Sequence, residues 1–259
     1  MTDHPAISFE SVSKNYGEGR VLDRVSLDVR EGEFLAVVGP SGSGKTTLLR
    51  LINRLIEPTA GVIRVAGEDV QTIDPISLRR RIGYVFQGVG LFPHMTVAEN
   101  ISITPRLLGW NEAQRAARVD ELIDLVRLDR GKHRDRLPSQ LSGGEGQRVG
   151  VARALAAKPR IVLMDEPFGA LDPLTRDALG EDYCRLHSEL GLTTVMITHD
   201  MLEAVLLADR IAVIHDGRIV ADGTPQALLN DAKDDYVREL MATPRRQAER
   251  LRALTSGPR

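Results

Sequence analysis

Lys45 and Thr46 close a glycine-rich run, GPSGSGKTT, that starts at Gly39 and ends at Thr47. The run fits G-x-x-x-x-G-K-[ST] at every fixed position. Gly39, Gly42 and Gly44 let backbone N–H groups turn inward and approach anionic oxygens without Cβ clashes. Pro40, Ser41 and Ser43 fill the rest of the loop, and Thr47 falls in the following helix, whose positive end points at the same anion. Lys45 supplies a movable charge for the β- and γ-phosphates of a nucleotide, and the Thr46 hydroxyl is a ligand for Mg²⁺. An apolar run, FLAVV, precedes the loop and a leucine-bearing stretch, TTLLRLINRL, follows it. That strand–loop–helix context separates a phosphate cradle from an incidental glycine turn.

A second acidic station stands at IVLMDE, where a buried strand ends in Asp165 and Glu166. In open α/β sheets the carboxyl edge of the strands is the ligand crevice. There Asp165 can hold Mg²⁺ and Glu166 can orient an attacking water or take its proton. Gln87, after RIGYVF, is an amide that can ligate Mg²⁺ or water, and reads equally well as an ordinary strand-end glutamine. His199 ends TTVMIT, a strand expected on the same edge; a neutral imidazole there can bond a γ-phosphate. Tyr16 can stack on adenine or simply lie on the surface. A second candidate anion site is LSGGEGQ, residues 141–147. Ser142 and Glu145 have the spacing of a capping box, whose loss costs about 1 kcal/mol. Gly143 and Gly144 each disfavour the first helical turn by about 1 kcal/mol relative to alanine. Two such costs make sense if something must approach the backbone closely, and a helix N-terminus with a serine is an anion site.

The elements that must carry these residues are legible in outline. VSLDV alternates as a half-buried strand, and GVIRVAGEDV adds another, predicting a short antiparallel layer. EFLAVVG, RIVLMDEP and TTVMITHD are continuous apolar runs of strands buried on both faces. Thr96 and Glu99 predict a helix start, NEAQRAARVDELIDLVRL continues with helical period, and another helix stops before Pro159. RIAVIHDGRIVADG predicts a hairpin turning at Asp216-Gly217. Thr224 and Pro225 predict the cap and first position of a closing helix. Strand–helix alternation argues for a largely parallel sheet covered by helices. The arginine-rich end, TPRRQAERLRALTSGPR, is expected to be solvated or frayed.

The chain has 259 residues, 42% of them hydrophobic, enough for a substantial core. Its net charge of -2 gives no general basic field for nucleic acid or anionic lipid. A single cysteine, Cys184, cannot form an internal disulfide. The apolar runs are too short to span a bilayer, so any membrane role is expected to run through a partner and not by direct insertion.

Taken in order, the phosphate loop, Gln87, LSGGEGQ, IVLMDEP, GALD and TH resemble the ATP-binding subunits of ABC transporters, from about Ile7 to the Leu229 region. The resemblance implies an α/β P-loop NTPase core with a largely parallel sheet, a small antiparallel β layer and an inserted helical subdomain. It divides the chain into an ATP-binding domain at residues 1–229, holding a helical signature subdomain at 88–157, and a short C-terminal helix and basic tail at 230–259. It implies ATP and Mg²⁺. Tyr16 is then the adenine-stacking aromatic, Gln87 the link to a membrane partner, Glu166 the catalytic carboxylate and His199 the switch histidine. Asp172, in GALDP, is the dimer-contacting aspartate. Two chains are implied to pair head to tail, each ATP lying between one chain's phosphate loop and the other's Ser142, Gly143 and Gly144. Integral-membrane permease subunits and a separate solute-binding protein are the implied partners, with the chain on the cytoplasmic face of the membrane. One departure is Glu145-Gly146, where many members carry glutamines. VFQGVGLFPHMTVAENI and TPRLLGW resemble the ATPases of importers for quaternary-amine osmoprotectants such as glycine betaine or choline. Amino-acid and oxyanion importers share part of this pattern and form the alternative. An exporter ATPase and a soluble ABC protein of nucleic-acid metabolism are further removed. Many osmoprotectant ATPases continue into regulatory CBS domains, which this chain is expected to lack.

Overall fold

The hairpin of β1 (Ile7–Tyr16) and β2 (Gly19–Val29) opens the chain, and the fully buried β3 (Phe34–Val38) then runs through the glycine loop into α1 (Lys45–Ile52). The computed structural model describes residues 5–255. β4 (Ala60–Val65), β5 (Glu68–Asp69), α2 (Pro75–Arg81) and β6 (Ile82–Val85) follow. A helical block comes next, with α3 (Val97–Leu107), α4 (Glu112–Leu125), α5 (Arg130–His133), a 3₁₀ turn at Pro138–Gln140, and α6 (Gly143–Leu155). The chain then returns through β7 (Ile161–Asp165), α7 (Pro173–Leu190), β8 (Thr193–Ile197), α8 (Met201–Leu207), β9 (Arg210–His215) and β10 (Arg218–Gly223). It ends in α9 (Pro225–Asp231) and α10 (Asp235–Thr255).

Two sheets result. The smaller, antiparallel sheet has the order β2-β1-β4-β5, and the larger has the order β10-β9-β3-β8-β7-β6. Within the larger sheet, β6 to β9 and β3 run parallel, and only β10 turns back. The expected architecture of a parallel core, a small antiparallel layer and an inserted helical block is therefore the one observed. The hairpin turns where expected, with Asp216 and Gly217 at φ 47° and 74°, as a two-residue turn of the primed type requires.

The large sheet divides the interior by side-chain alternation. Phe34, Ala36 and Val38 of β3 face one core with α4, α6 and α7, while Leu35 and Val37 face another with α1 and the antiparallel sheet. β7 alternates likewise, Val162 and Met164 against Ile161 and Leu163. Apolar residues on both faces explain why these strands read as unbroken hydrophobic runs. α1 buries Leu48, Leu49, Leu51 and Ile52 between the two sheets. Each such side chain contributes about 1.5–3 kcal/mol, which fixes the helix behind the glycine loop.

Of the solvated or frayed end expected, fraying is not seen: the arginine-rich stretch is carried as helix to Thr255 in α10. Its first turns are anchored, since Val237 and Met241 are buried and Tyr236 stacks on His215 with ring centroids 4.2 Å apart. Residues 256–259 of the expected tail lie outside the described residues. Among the described residues no helix is long and apolar enough to cross a membrane.

Candidate functional site

The glycine loop is pressed against its neighbours at Gly39 and Gly44, while Gly42 faces open space with φ 80°. A Cβ on Gly39 would stand 2.1 Å from the Ile214 carbonyl oxygen, and one on Gly44 would stand 2.6 Å from Leu22 Cδ2. Gly44 has φ 105° and is the N-cap of α1 without any side-chain cap. The first N–H groups of α1 are thus left for another acceptor. Lys45 is buried, and its Nζ donates to the Gly39 and Pro40 carbonyls at 2.8 and 2.9 Å. An ammonium has three donors, so one is left for a phosphate oxygen. Burial holds the Lys45 ammonium below its ordinary value, opposed by Glu166 and then Asp165. The Ser43 hydroxyl is buried without a hydrogen-bond partner. An orphaned hydroxyl, an uncapped helix start and a buried cation in one loop fit an oxyanion.

Three neighbouring strands deliver the rest. β6, β7 and β8 run side by side in parallel, so Gln87, Glu166 and His199, each one or two residues past a strand end, meet on one edge. Gln87 Nε2 donates to Glu166 Oε2 at 3.0 Å, and His199 Nδ1 lies 3.3 Å from the same oxygen. Glu166 itself has φ 45°, a conformation that costs a non-glycine residue on the order of 1–3 kcal/mol and that concentrates at functional sites. Its N–H is held by the Ile197 carbonyl at 3.0 Å. Next to it, the Thr46 hydroxyl donates to Asp165 Oδ1 at 3.3 Å. Burial raises the Asp165 carboxyl above its ordinary value, with the Glu166 charge adding to that and Thr46 acting against it. No group of three or more His, Cys, Asp or Glu among the described residues forms a metal cluster. The hydroxyl, carboxylate and amide oxygens of Thr46, Asp165 and Gln87 instead suit a hard cation that takes its remaining ligands from phosphate and water.

Tyr16 stands where β1 turns into β2, half exposed, with the Lys14 ammonium 4.9 Å from its ring centroid. Val21 and Leu22 of the same hairpin lie against Gly44, which sets Tyr16's strand pair beside the phosphate loop.

Ser142 caps α6 as predicted. Its hydroxyl accepts from Glu145 N–H at 3.3 Å, and its own N–H donates to Glu145 Oε2 at 2.8 Å. Asp172 caps α7, accepting from Thr175 N–H at 3.1 Å. Ser142, Gly143, Gly144, Asp172 and Thr175 line one open depression of about 530 Å³. No hydrogen bond or ion pair among the described residues joins Ser142 or Asp172 to Lys45, Asp165, Glu166 or His199. Gln87, Glu166 and His199 bond to one another beside the Thr46–Asp165 pair, while Ser142, Gly143, Gly144 and Asp172 share the depression. Packing within the chain accounts for one of the paired glycines, so both are not evidence of a close approach from outside. A Cβ on Gly144 would meet Thr175 Cγ2 at 2.5 Å, so packing on α7 within the chain already requires a glycine there. Gly143 has only Leu171 Cδ2 at 3.8 Å and keeps the open approach.

Several residues were not singled out by sequence. Tyr84 on β6 sits beside Asp165, and burial together with that carboxylate pushes its hydroxyl up to about 12; its place three residues before Gln87 was the available signal. Arg176 donates to Asp200 Oδ2 at 3.1 Å and to the Leu171 carbonyl at 3.3 Å. It ties the turn before Asp172 to the turn after His199, with no local motif to mark it. A Cβ on Gly146 would stand 2.8 Å from Val89 Cγ1, which explains a glycine at that departure from the expected pattern.

The family profile described as "ABC transporter" matches residues 22–169. The choline transport ATP-binding protein OpuBA of Bacillus subtilis is 52% identical over 92% of this chain, which spans 63% of that protein's length. The glycine betaine uptake system ATP-binding protein YehX of Escherichia coli is 48% identical over 90% of the chain and 75% of its own length. Among solved structures, the dimeric post-hydrolysis state of the ATP-binding cassette MJ0796 bound to ADP and Pi superposes with TM-score 0.76. The two are 34% identical over 85% of this chain and 98% of the other.

Proposed function

The chain belongs to the ABC transporter family, and from that premise we propose that it is the ATP-hydrolysing subunit of an importer, working as a head-to-tail homodimer. The observation that carries the reading is the convergence of Gln87 and His199 on one oxygen of Glu166, beside Lys45, Thr46 and Asp165. In this reading Tyr16 stacks on adenine, and Gly39 to Thr47 hold the phosphates with Lys45. Glu166 orients a water and takes its proton as the water oxygen bonds to the γ-phosphorus and the bond to the β-phosphate oxygen breaks. Gln87 and His199 fix the carboxylate and the water. Thr46, Asp165 and Gln87 would hold Mg²⁺, which neutralises charge on the transferring phosphoryl group. Ser142, Gly143, Gly144 and Asp172 serve the partner chain's ATP.

We assign residues 1–229 to the ATP-binding domain, residues 88–157 to the signature subdomain within it, and the remainder to an appended segment. The relatives named for choline and glycine betaine transport support a quaternary-amine osmoprotectant as the imported solute. Permease subunits would hold the chain at the cytoplasmic face of the membrane, with a solute-binding protein delivering the solute. The test is Glu166→Gln. It should keep ATP binding, slow hydrolysis by about 10²–10⁴-fold and leave an ATP-bound dimer on size-exclusion chromatography. Turnover near that of the parent chain would move the catalytic role elsewhere. Loss of labelled choline or glycine betaine uptake in cells lacking the chain tests the solute.

A further inference from the structure

His133 ends α5 and is only 4% exposed, beneath the start of α6. Its Nδ1 lies 2.9 Å from the Asp129 carbonyl, and its Nε2 lies 2.9 Å from Glu145 Oε1. Glu145 is ionised, its carboxyl held down to about 2 first by the Ser142 N–H and next by His133. The Glu145 carboxylate can only accept, so the ring's Nε2–H donates to it. Lys132 Nζ lies 3.9 Å from the same Glu145 oxygen.

Capping does not need that charge. At α4 of this same chain, Gln114 does the work for Asn111. Asn111 N–H donates to Gln114 Oε1 at 3.0 Å, and Gln114 N–H donates to Asn111 Oδ1 at 2.9 Å. An amide closes a capping box as well as a carboxylate does. At Ser142 a carboxylate brings a negative charge one helical turn from the group that is to face a phosphate. Left alone, such a charge would repel the phosphate and weaken the positive end of α6.

We propose that His133 is a positioning residue for the Ser142 cradle, holding Glu145 by a buried hydrogen bond in its capping orientation and turned toward Lys132, so that a phosphate of the partner chain's ATP can approach. This rests on the shared-site reading above.

Four full-length chains test it: the parent, His133→Phe, Glu145→Gln, and the two combined. ATP-dependent dimerisation is measured by sedimentation on a Glu166→Gln background, and KM and kcat for ATP on the background with Glu166 intact. In the parent context, His133→Phe should raise both the ATP concentration for half dimerisation and the KM about tenfold. The kcat should stay within about twofold, because the lost interaction serves docking and not the chemical step. In the Glu145→Gln context the same substitution should change either quantity by less than about threefold. Equal losses in both contexts would make His133 a packing residue only, and no loss in either would remove its role; either result overturns the proposal. If His133→Phe does not give a cooperative melt, His133→Ser replaces it. That variant is polar but too short to reach Glu145, with the same direction expected and the same outcomes decisive. A parent chain that does not dimerise with ATP overturns the shared-site reading, and this inference with it.

Discussion

Lys45 shows how much of the site is prepared before nucleotide arrives. It spends two of its three donors on its own loop's carbonyls and keeps one for an anion, in a place where burial already disfavours its charge. A phosphate therefore relieves the loop as well as binding to it. Lys45→Ala should weaken ATP binding about 10- to 100-fold, the worth of hydrogen bonds to a charged group. Fluorescence titration with a labelled nucleotide checks this, and unchanged binding would refute the phosphate-loop assignment. Glu145 gives a second prediction at this scale. Its folded-state value lies below the ordinary carboxylate value, so its stabilisation is present above that ordinary value and is lost as pH falls through about 2. The melting-temperature advantage of the parent over Glu145→Gln should be largest near neutral pH. It should shrink on acidification below about pH 5; an advantage that grows on acidification contradicts the assignment. These roles were partly legible in sequence, because glycine, lysine and serine spacing reports local geometry. The partner of Glu145 was not legible: His133 lies twelve positions away, and nothing in its own neighbourhood marks it.

The elements follow a similar rule. β3, β7 and β8 could be read because burial on both faces leaves an unbroken apolar run, and α3 because its cap lies within one turn. The sequence pattern predicts nothing over Pro173–Leu190, although it forms the 18-residue α7. That helix buries Asp182 and His187 among its apolar residues, which blurs the periodic signal. Arg127 and Arg148 pair with Asp182, while Thr194 and the Gly32 carbonyl bond His187. Arg185, one turn along, also pairs with Asp182, but Arg127, Arg148 and Gly32 are brought there only by the fold. The glycine pair at the start of α6 makes the same point and can be separated by mutation. Gly144→Ala should destabilise the fold by about 1–3 kcal/mol through overpacking on Thr175, and Thr175→Ser, which removes the offending methyl, should restore most of it. Gly143→Ala meets no such neighbour and should leave thermal stability equal or higher, by up to about 1 kcal/mol of helix propensity. It should nevertheless impair ATP-dependent dimerisation. Denaturant melts and sedimentation of the three variants decide, and a Gly143→Ala chain that dimerises like the parent would remove the open-approach argument for LSGGEGQ.

Across the whole molecule, the residues we assign to phosphate binding fall in two places. One carries the buried lysine, the acidic strand end and His199; the other carries Ser142, Gly143 and Asp172 around an open depression. In the proposed head-to-tail pair, each would face the other chain's counterpart. The most direct measurement uses mixed dimers of differently tagged chains carrying Glu166→Gln, with Lys45→Ala and Ser142→Arg distributed in two ways. If each site joins Lys45 of one chain to Ser142 of the other, placing both lesions on one chain damages both sites, whereas placing one on each chain spares a whole site. ATP trapped per mixed dimer is therefore predicted to be higher in the split pair than in the pair of doubly altered and unaltered chains. More trapping in the latter pair would mean that each chain binds its ATP alone, contradicting the shared site.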